Sequence, residues 1–337
     1  MQEVELKFQL PVAQQTAVQQ LFIQRGVSPQ YLLAYYYDTT DQHLAKHRIG
    51  LRVRREGQQW IQTFKASGNQ PWQRLEINTV LGQSQTVPSP ELKSYQTIKQ
   101  VKILLEQASI DLNTDLNPQF STNIKRYTQL FQHQHSIIEV SLDSGTINTA
   151  IAQLKIGEIE FELKRGRVKD LFTFARTWII PYALWFDVRN KAELGNLLVQ
   201  GYFSKSNLFH LPEITETSSV LAQIQCTLLQ LLSNLAAISA QLTQRAHIEQ
   251  TLIGLQHLIN ILQTCMPNII SEQTSAIQLL KNLYTNLSQI QLDDASLPLT
   301  PALLSALAQY TTSTDLNILW LNLLQQTLDS SEAIILH

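Results

Sequence analysis

Through the first two hundred residues, apolar and polar positions alternate with a period of two, the pattern of strands with one buried face. In Glu3-Val4-Glu5-Leu6-Lys7 the charged side chains share one face and Val4 and Leu6 the other. The same split recurs in Leu51-Arg52-Val53-Arg54, Thr63-Phe64-Lys65, Arg74-Leu75-Glu76-Ile77, Glu139 to Asp143 and Glu158 to Lys164. The pattern predicts strands near 2–9, 31–38, 49–56, 59–66, 72–81, 120–131, 136–144, 155–164 and 184–189, with helices near 12–25, 92–107 and 168–179. Glu56-Gly57-Gln58 reads as a tight hairpin turn. Beyond residue 202 the texture changes to Leu, Gln, Ile and Ala at helical spacing. Helices are expected near 215–242, 246–265, 269–290, 301–311 and 314–328, punctuated by Pro267, Pro298 and Pro301. Gly201 to Pro212 has the Gly, Ser, Asn and Pro content of a boundary. Residues 1–202 thus read as a strand-dominated α+β domain and residues 203–337 as an all-α one.

Charge sharpens that division. Residues 1–202 hold 22 Lys/Arg against 18 Asp/Glu, a net of +4; residues 203–337 hold Lys205, Arg245 and Lys281 against nine acids, a net of −6. The whole chain of 337 residues is near neutral, so no overall bias advertises nucleic acid or an acidic membrane surface. With 44% apolar and 15% charged residues, disorder is ruled out. Cys226 and Cys265 are too few for a disulfide framework or a thiolate metal site. The charged N-terminus lacks a signal-peptide pattern, and no run of about 18 uninterrupted apolar residues predicts a membrane span. The expectation is a reduced, cytoplasmic protein with neither nucleic-acid nor membrane partners.

A strand that repeats like charges needs a compensating partner. Two Glu-x-Glu strands call for a divalent cation, and hard oxygen ligands point to Mg²⁺ or Mn²⁺ rather than zinc. The Arg and Lys strands call for a multiply charged anion, because guanidinium forks match phosphate oxygens. Closing the sheet into a barrel would aim both sets at one lumen, a site for a metal–polyphosphate. Competing chemistries are weak: there is no G-x-S-x-G, no Walker-type loop and no H-E-x-x-H. His133-Gln134-His135 falls in an apparent hairpin turn, and exposed, unliganded histidines are the reading for His43 and His47.

These residues, taken in order, resemble the CYTH, or triphosphate tunnel metalloenzyme, superfamily. Glu3-Val4-Glu5-Leu6-Lys7 matches its E-x-E-x-K signature. Tyr37-Asp38-Thr39, Arg52 and Arg54, Lys65, Arg74 to Glu76, Arg126, Glu139 to Asp143, Glu158 to Glu162 and Asn190-Lys191-Ala192 follow in sequence. The resemblance covers roughly residues 1–200. It implies an eight-stranded antiparallel β-barrel forming a tunnel, surrounded by helices, and metal-dependent activity on small triphosphates. On it, Glu3, Glu5, Glu158 and Glu160 would be metal ligands, with Glu76, Glu139, Asp143 and Glu162 as further candidates for a two-metal site. Lys7, Arg52, Arg54, Lys65, Arg74, Arg126 and Lys191 would bind the phosphates, with Lys7 and Glu5 nearest the chemistry. Leu194 stands where the family has an arginine, so one basic contact is missing or supplied elsewhere.

The second half resembles a degenerate CHAD domain through Gln250 to Leu258, with Leu252, Gln256 and Ile259 at that family's basic positions. With three basic residues it lacks the charge to hold a polyanion, leaving a scaffold, tunnel cover or protein-contact surface. The expected activity is inorganic triphosphatase. Adenylate cyclase, nucleoside or thiamine triphosphatase, and a silent polyphosphate-binding module are the alternatives.

Overall fold

The computed structural model describes residues 2–67, 73–201, 208, 220–265, 273–292 and 299–327; the side chains of residues 2, 3, 67, 73, 74, 265, 273, 291 and 292 lie outside that description. The chain runs β1 (Gln2–Gln9), α1 (Val12–Gln24), β2 (Gln30–Asp38), α2 (His43–Lys46), β3 (Ile49–Glu56), β4 (Gln59–Ser67) and β5 (Gln73–Gly82). It continues through α3 (Lys99–Gln107), β6 (Asn117–His133), β7 (Ser136–Asn148), β8 (Gln153–Arg165), α4 (Val168–Tyr182), β9 (Trp185–Phe186) and α5 (Lys191–Val199). The remaining helices are α6 (Val220–Ser239), α7 (Arg245–Cys265), α8 (Gln273–Leu292), α9 (Pro301–Thr311) and α10 (Thr314–Gln326).

The sheet order is β5-β4-β3-β2-β6-β7-β8-β1-β9, all the pairings being antiparallel. β5 also pairs with β1, Glu3 lying opposite Arg74, so backbone hydrogen bonds run round all eight long strands as an eight-stranded barrel requires. Alternation assigns the faces. Val4, Leu6 and Phe8 of β1, Ile138, Val140 and Leu142 of β7 and Ile159, Phe161 and Leu163 of β8 are buried in one cluster on the outside. α4 covers that face, and its Phe174 and Trp178 meet Phe161 at 6.0 and 5.7 Å between ring centres. Opposite, Leu51, Phe64 and Ala66 bury against Tyr95 and α3. The charged residues therefore take the inner face.

The apolar cluster outside β1, β7 and β8 continues without a break into the helical half, through Ile224, Leu228, Leu231 and Leu235 of α6 to Trp320 and Leu324 of α10. α6 is long and apolar enough to cross a membrane by composition, yet these side chains are buried inside the fold. The expected link from Gly201 to Pro212, apart from Gly201 and Leu208, lies outside the described residues, as do Pro267 and Pro298.

Three local expectations are corrected. The strand expected over 184–189 stops at Phe186, because the Asp187 carboxylate accepts the Arg189 backbone N–H at 3.0 Å and closes a turn. The helix expected over 92–107 divides into a 3₁₀ turn, Leu92–Tyr95, and α3, with Ile98 extended between them. α5 was not foreseen. Asn190 starts it by accepting the Glu193 N–H at 2.8 Å, a side-chain cap.

α5 explains Leu194. Leu194 and Leu198 are buried with Leu32, Ala34 and Tyr36 of β2, Phe120 and Ile124 of β6, Ile147 of β7 and Ile156 of β8. By alternation those strand residues share the inner face with Arg126, Asp143 and Glu158, farther along the strands. One end of the lumen is thus an apolar plug. A Cβ on Gly195 would lie 2.2 Å from the Phe120 ring, so this helix sits as close as a side chain permits.

Candidate active site

Beyond the plug, β6, β7, β8 and the start of α5 converge on one charged group. Arg126 forks onto Asp143, its Nε and Nη2 each 2.6 Å from a carboxylate oxygen, and Nη2 also reaches Glu160 at 2.6 Å. Lys191 Nζ touches Asp143 at 2.6 Å, Glu160 at 2.9 Å and also Glu158. Lys7 Nζ contacts Glu158 at 3.3 Å and donates to the Arg189 carbonyl. Three acids are thus interleaved with three cations, Asp143, Glu158 and Lys7 buried and Glu160, Arg126 and Lys191 half-buried. The carboxylates of Asp143, Glu158 and Glu160 each offer an oxygen within 4.8 Å of the others.

Burial alone would raise the pKa of every acid here, and the cations decide the outcome. Arg126 and Lys191 overcome burial at Asp143, holding its pKa below the usual carboxylate range. Lys191 and Arg126 do so still more strongly at Glu160. At Glu158 burial, helped by Glu160 and Asp143, outweighs Lys191 and Lys7 and raises the pKa. Lys191 is pushed well above its ordinary value because the three acids outweigh its burial.

The opposite wall is basic. Arg52 and Arg54 project inward from β3, opposite Tyr36 and Ala34 of β2. Arg52 Nη2 donates to Thr63 at 3.3 Å, while its buried Nε has no hydrogen-bond partner among the described residues. A guanidinium N–H left open in a charged lumen can donate to an anion. Burial works against the Arg52 charge, but Tyr36 and Glu76 outweigh it and raise its pKa. Arg54 is lowered to about 10 by burial and by the neighbouring Arg52 and Arg126, against the pull of Glu56.

That shift predicts a pH dependence. A bound polyanion favours the charged guanidinium, so affinity from Arg54 is present below pH 10 and lost as pH rises through about 10. Calorimetric titration of tripolyphosphate in metal-free buffer from pH 7 to 10.5 should show weakening steeper than in Arg54→Met. Identical curves for the two proteins would contradict this role.

The remaining expected residues fall into two groups. Lys164 of β8 bridges Glu139 at 3.3 Å and Glu162 at 2.8 Å, and Glu5 lies opposite Glu162 in the β1–β8 register. On β4 and β5, Lys65 pairs with Glu76, which also accepts from Asn78 at 3.0 Å. The side chains of Glu3 and Arg74 lie outside the described residues. Sequence reading brought the acid triad and its cations to one face. It missed Asp187 and Arg189, whose buried ion pair at 2.9 Å lies beside Lys7, and the alternation pattern carried no signal for a turn. His133, in the expected hairpin, lies 3.2 Å from the Thr173 hydroxyl.

The donor set fits a hard divalent cation: three convergent carboxylates, two buried and one half-buried, with no sulfur or imidazole among them. Lys191 now supplies positive charge to all three.

The sequence matches the CYTH domain family over residues 1–184. It is 33% identical over 214 residues to the inorganic triphosphatase of Haemophilus influenzae, an alignment covering 59% of this chain and 55% of that protein. The chain thus spans about half the length of that curated relative. Among solved structures, a protein from Bacillus halodurans described as a candidate adenylate cyclase shares 20% identity, covering 60% of this chain and 97% of that one, with a TM-score of 0.41. A Hippeastrum protein described as a candidate adenylyl cyclase with dominant triphosphatase activity shares 14% identity over 58% of this chain and 95% of that one, with a TM-score of 0.37.

Proposed function

We propose that this chain, which belongs to the CYTH domain family, is a metal-dependent triphosphatase that splits tripolyphosphate into pyrophosphate and phosphate. The observation that carries this reading is the interleaving of Asp143, Glu158 and Glu160 with Arg126, Lys191 and Lys7. Each half of that group can exchange its internal partner for part of a metal–triphosphate. The relationship to an inorganic triphosphatase supports the same reading.

Asp143, Glu158 and Glu160 would hold the ion, Mg²⁺ or Mn²⁺; Glu139 and Glu162, which bind Lys164, and Glu5, opposite Glu162, would be the candidates for a second. A divalent ion supplies neutralisation of phosphate charge and a more acidic water. The chain's own residues do the rest. Arg126, Lys7 and Lys191, released from the acids, would turn to the phosphate oxygens, while Arg52 and Arg54 hold the chain of phosphates from the opposite wall. The apolar plug of Leu194, Leu198 and Phe120 keeps bulk water from one end of the lumen. No covalent nucleophile is needed, because phosphoryl transfer to water rests on positioning and charge.

The lumen offers phosphate contacts in abundance, but β2 lines it with Leu32, Ala34 and Tyr36, all spent in the plug. Trp60, an aromatic side chain that could otherwise stack a base, is buried and donates its indole N–H to the Ser84 carbonyl at 3.0 Å. A ligand that is all phosphate therefore gains most. Tripolyphosphate should exceed ATP in kcat/KM by at least about tenfold, roughly 1.4 kcal/mol of transition-state preference, and ATP should give no cyclic AMP. Chromatography of both product mixtures, run with Mg²⁺, tests this. Cyclic AMP as the main product, or faster turnover of ATP, would select the cyclase or nucleotide branch instead.

A further inference from the structure

The strap between β9 and α5 joins the helical half to the charged group. Phe186 and Trp185 pair with Phe8 and Gln9 of β1, beside Lys7. The Phe186 backbone N–H donates to Asn317 Oδ1 of α10 at 2.9 Å. Asn317 is itself fixed, its amide donating to the Ser313 carbonyl at 2.9 Å. Asp187 accepts from Gln9 at 3.2 Å and from the Arg189 guanidinium at 2.9 and 3.0 Å. Arg189 then reaches the Ala236 carbonyl, in the last turn of α6, at 3.2 Å. A cation there also faces the negative end of the helix dipole. Asp187, Arg189 and Asn317 are all buried.

The strap bears on both lysines that touch Glu158. The Arg189 carbonyl accepts from Lys7 Nζ, and two residues later Lys191 opens α5 with its ammonium on the three acids. We infer that the helical half is a positioning element of the tunnel: Asn317 of α10 and the C-terminal turn of α6 hold the 186–190 strap so that Lys7 and Lys191 stand at Glu158. This rests on the triphosphatase reading of the site, and it gives the poorly charged helices a task that needs no polyanion binding of their own. Asn317 is a positioning residue, acting through the backbone of Phe186.

The test compares two full-length variants that each lose a hydrogen bond between α10 and the rest of the chain, Asn317 also donating to the Thr311 carbonyl of α9 at 3.4 Å. Asn317→Ala removes the anchor of the strap. Arg176→Met removes the 2.7 Å bond from α4 to Gln325 of α10, a bond that involves no residue of the 186–190 strap. Asn317→Ala should lower kcat/KM for tripolyphosphate at least about tenfold, mostly through KM, since misplacement by about 1 Å can cost 10²-fold. Arg176→Met should stay within about twofold even where its melting temperature falls as far. If Asn317→Ala is insoluble, Asn317→Ser is compared in its place. Equal losses in the two variants, or no loss in the Asn317 variant, would overturn the inference. If the wild type hydrolyses no triphosphate, the functional reading fails, and calorimetric affinity for tripolyphosphate in the same variants still decides the role of the strap.

Discussion

Glu160→Gln is expected to lower metal-dependent turnover of tripolyphosphate by about 10²-fold or more while the barrel stays folded. The amide matches the carboxyl in size but removes one negative charge from the triad with Asp143 and Glu158. Changes one step removed from a metal already cost 10–100-fold, and this one removes an oxygen donor itself. Glu160 also holds Arg126 at 2.6 Å and Lys191 at 2.9 Å, so both cations lose a charged partner. The measurement is kcat at saturating Mg²⁺, with circular dichroism as the check on folding. Wild-type turnover in this variant would remove Glu160 from the site.

Lys191→Met is expected to act in two directions. Its ammonium touches all three acids, so its loss leaves these carboxylates, among the described residues, with Arg126 and Lys7 to balance them. Removing one partner of a buried charge group costs about 3–5 kcal/mol. The metal-free variant should therefore melt at a lower temperature than the wild type. Mn²⁺ no longer has an ammonium to displace, so it should bind at least about tenfold tighter and raise the melting temperature more than in the wild type. Tripolyphosphate turnover should nevertheless fall by about 10²-fold in kcat/KM, about 2.7 kcal/mol, because a phosphate contact is gone. Unchanged Mn²⁺ affinity would contradict an ammonium that competes with the ion.

Much of this site was legible from period-two alternation. Glu158 and Glu160, two residues apart between Ile159 and Phe161, had to share a face opposite the apolar cluster, and they do. Arg52 and Arg54 follow by the same argument from Leu51 and Val53. What alternation could not supply was depth along the barrel. Glu139, Asp143, Glu158, Glu160 and Glu162 look alike in the sequence, yet Glu139 and Glu162 meet Lys164, while the other three surround Lys191. Nor could it foresee that Leu194, at a position expected to be basic, belongs to a plug. That follows from α5 entering the lumen end, a tertiary fact written in the contact of Gly195 with Phe120. The strap was hidden for a different reason. Asp187 and Arg189 look like a strand continuing from Phe186, and only their buried side-chain bonds reveal a turn.

Metal-dependent triphosphatase activity is tested by phosphate release from tripolyphosphate by the full chain, followed with Mg²⁺ or Mn²⁺ and again in excess chelator. With metal, one phosphate and one pyrophosphate should form per tripolyphosphate, and none once the metal is removed. Release that persists in chelator, or no release from any triphosphate with either ion, would contradict it.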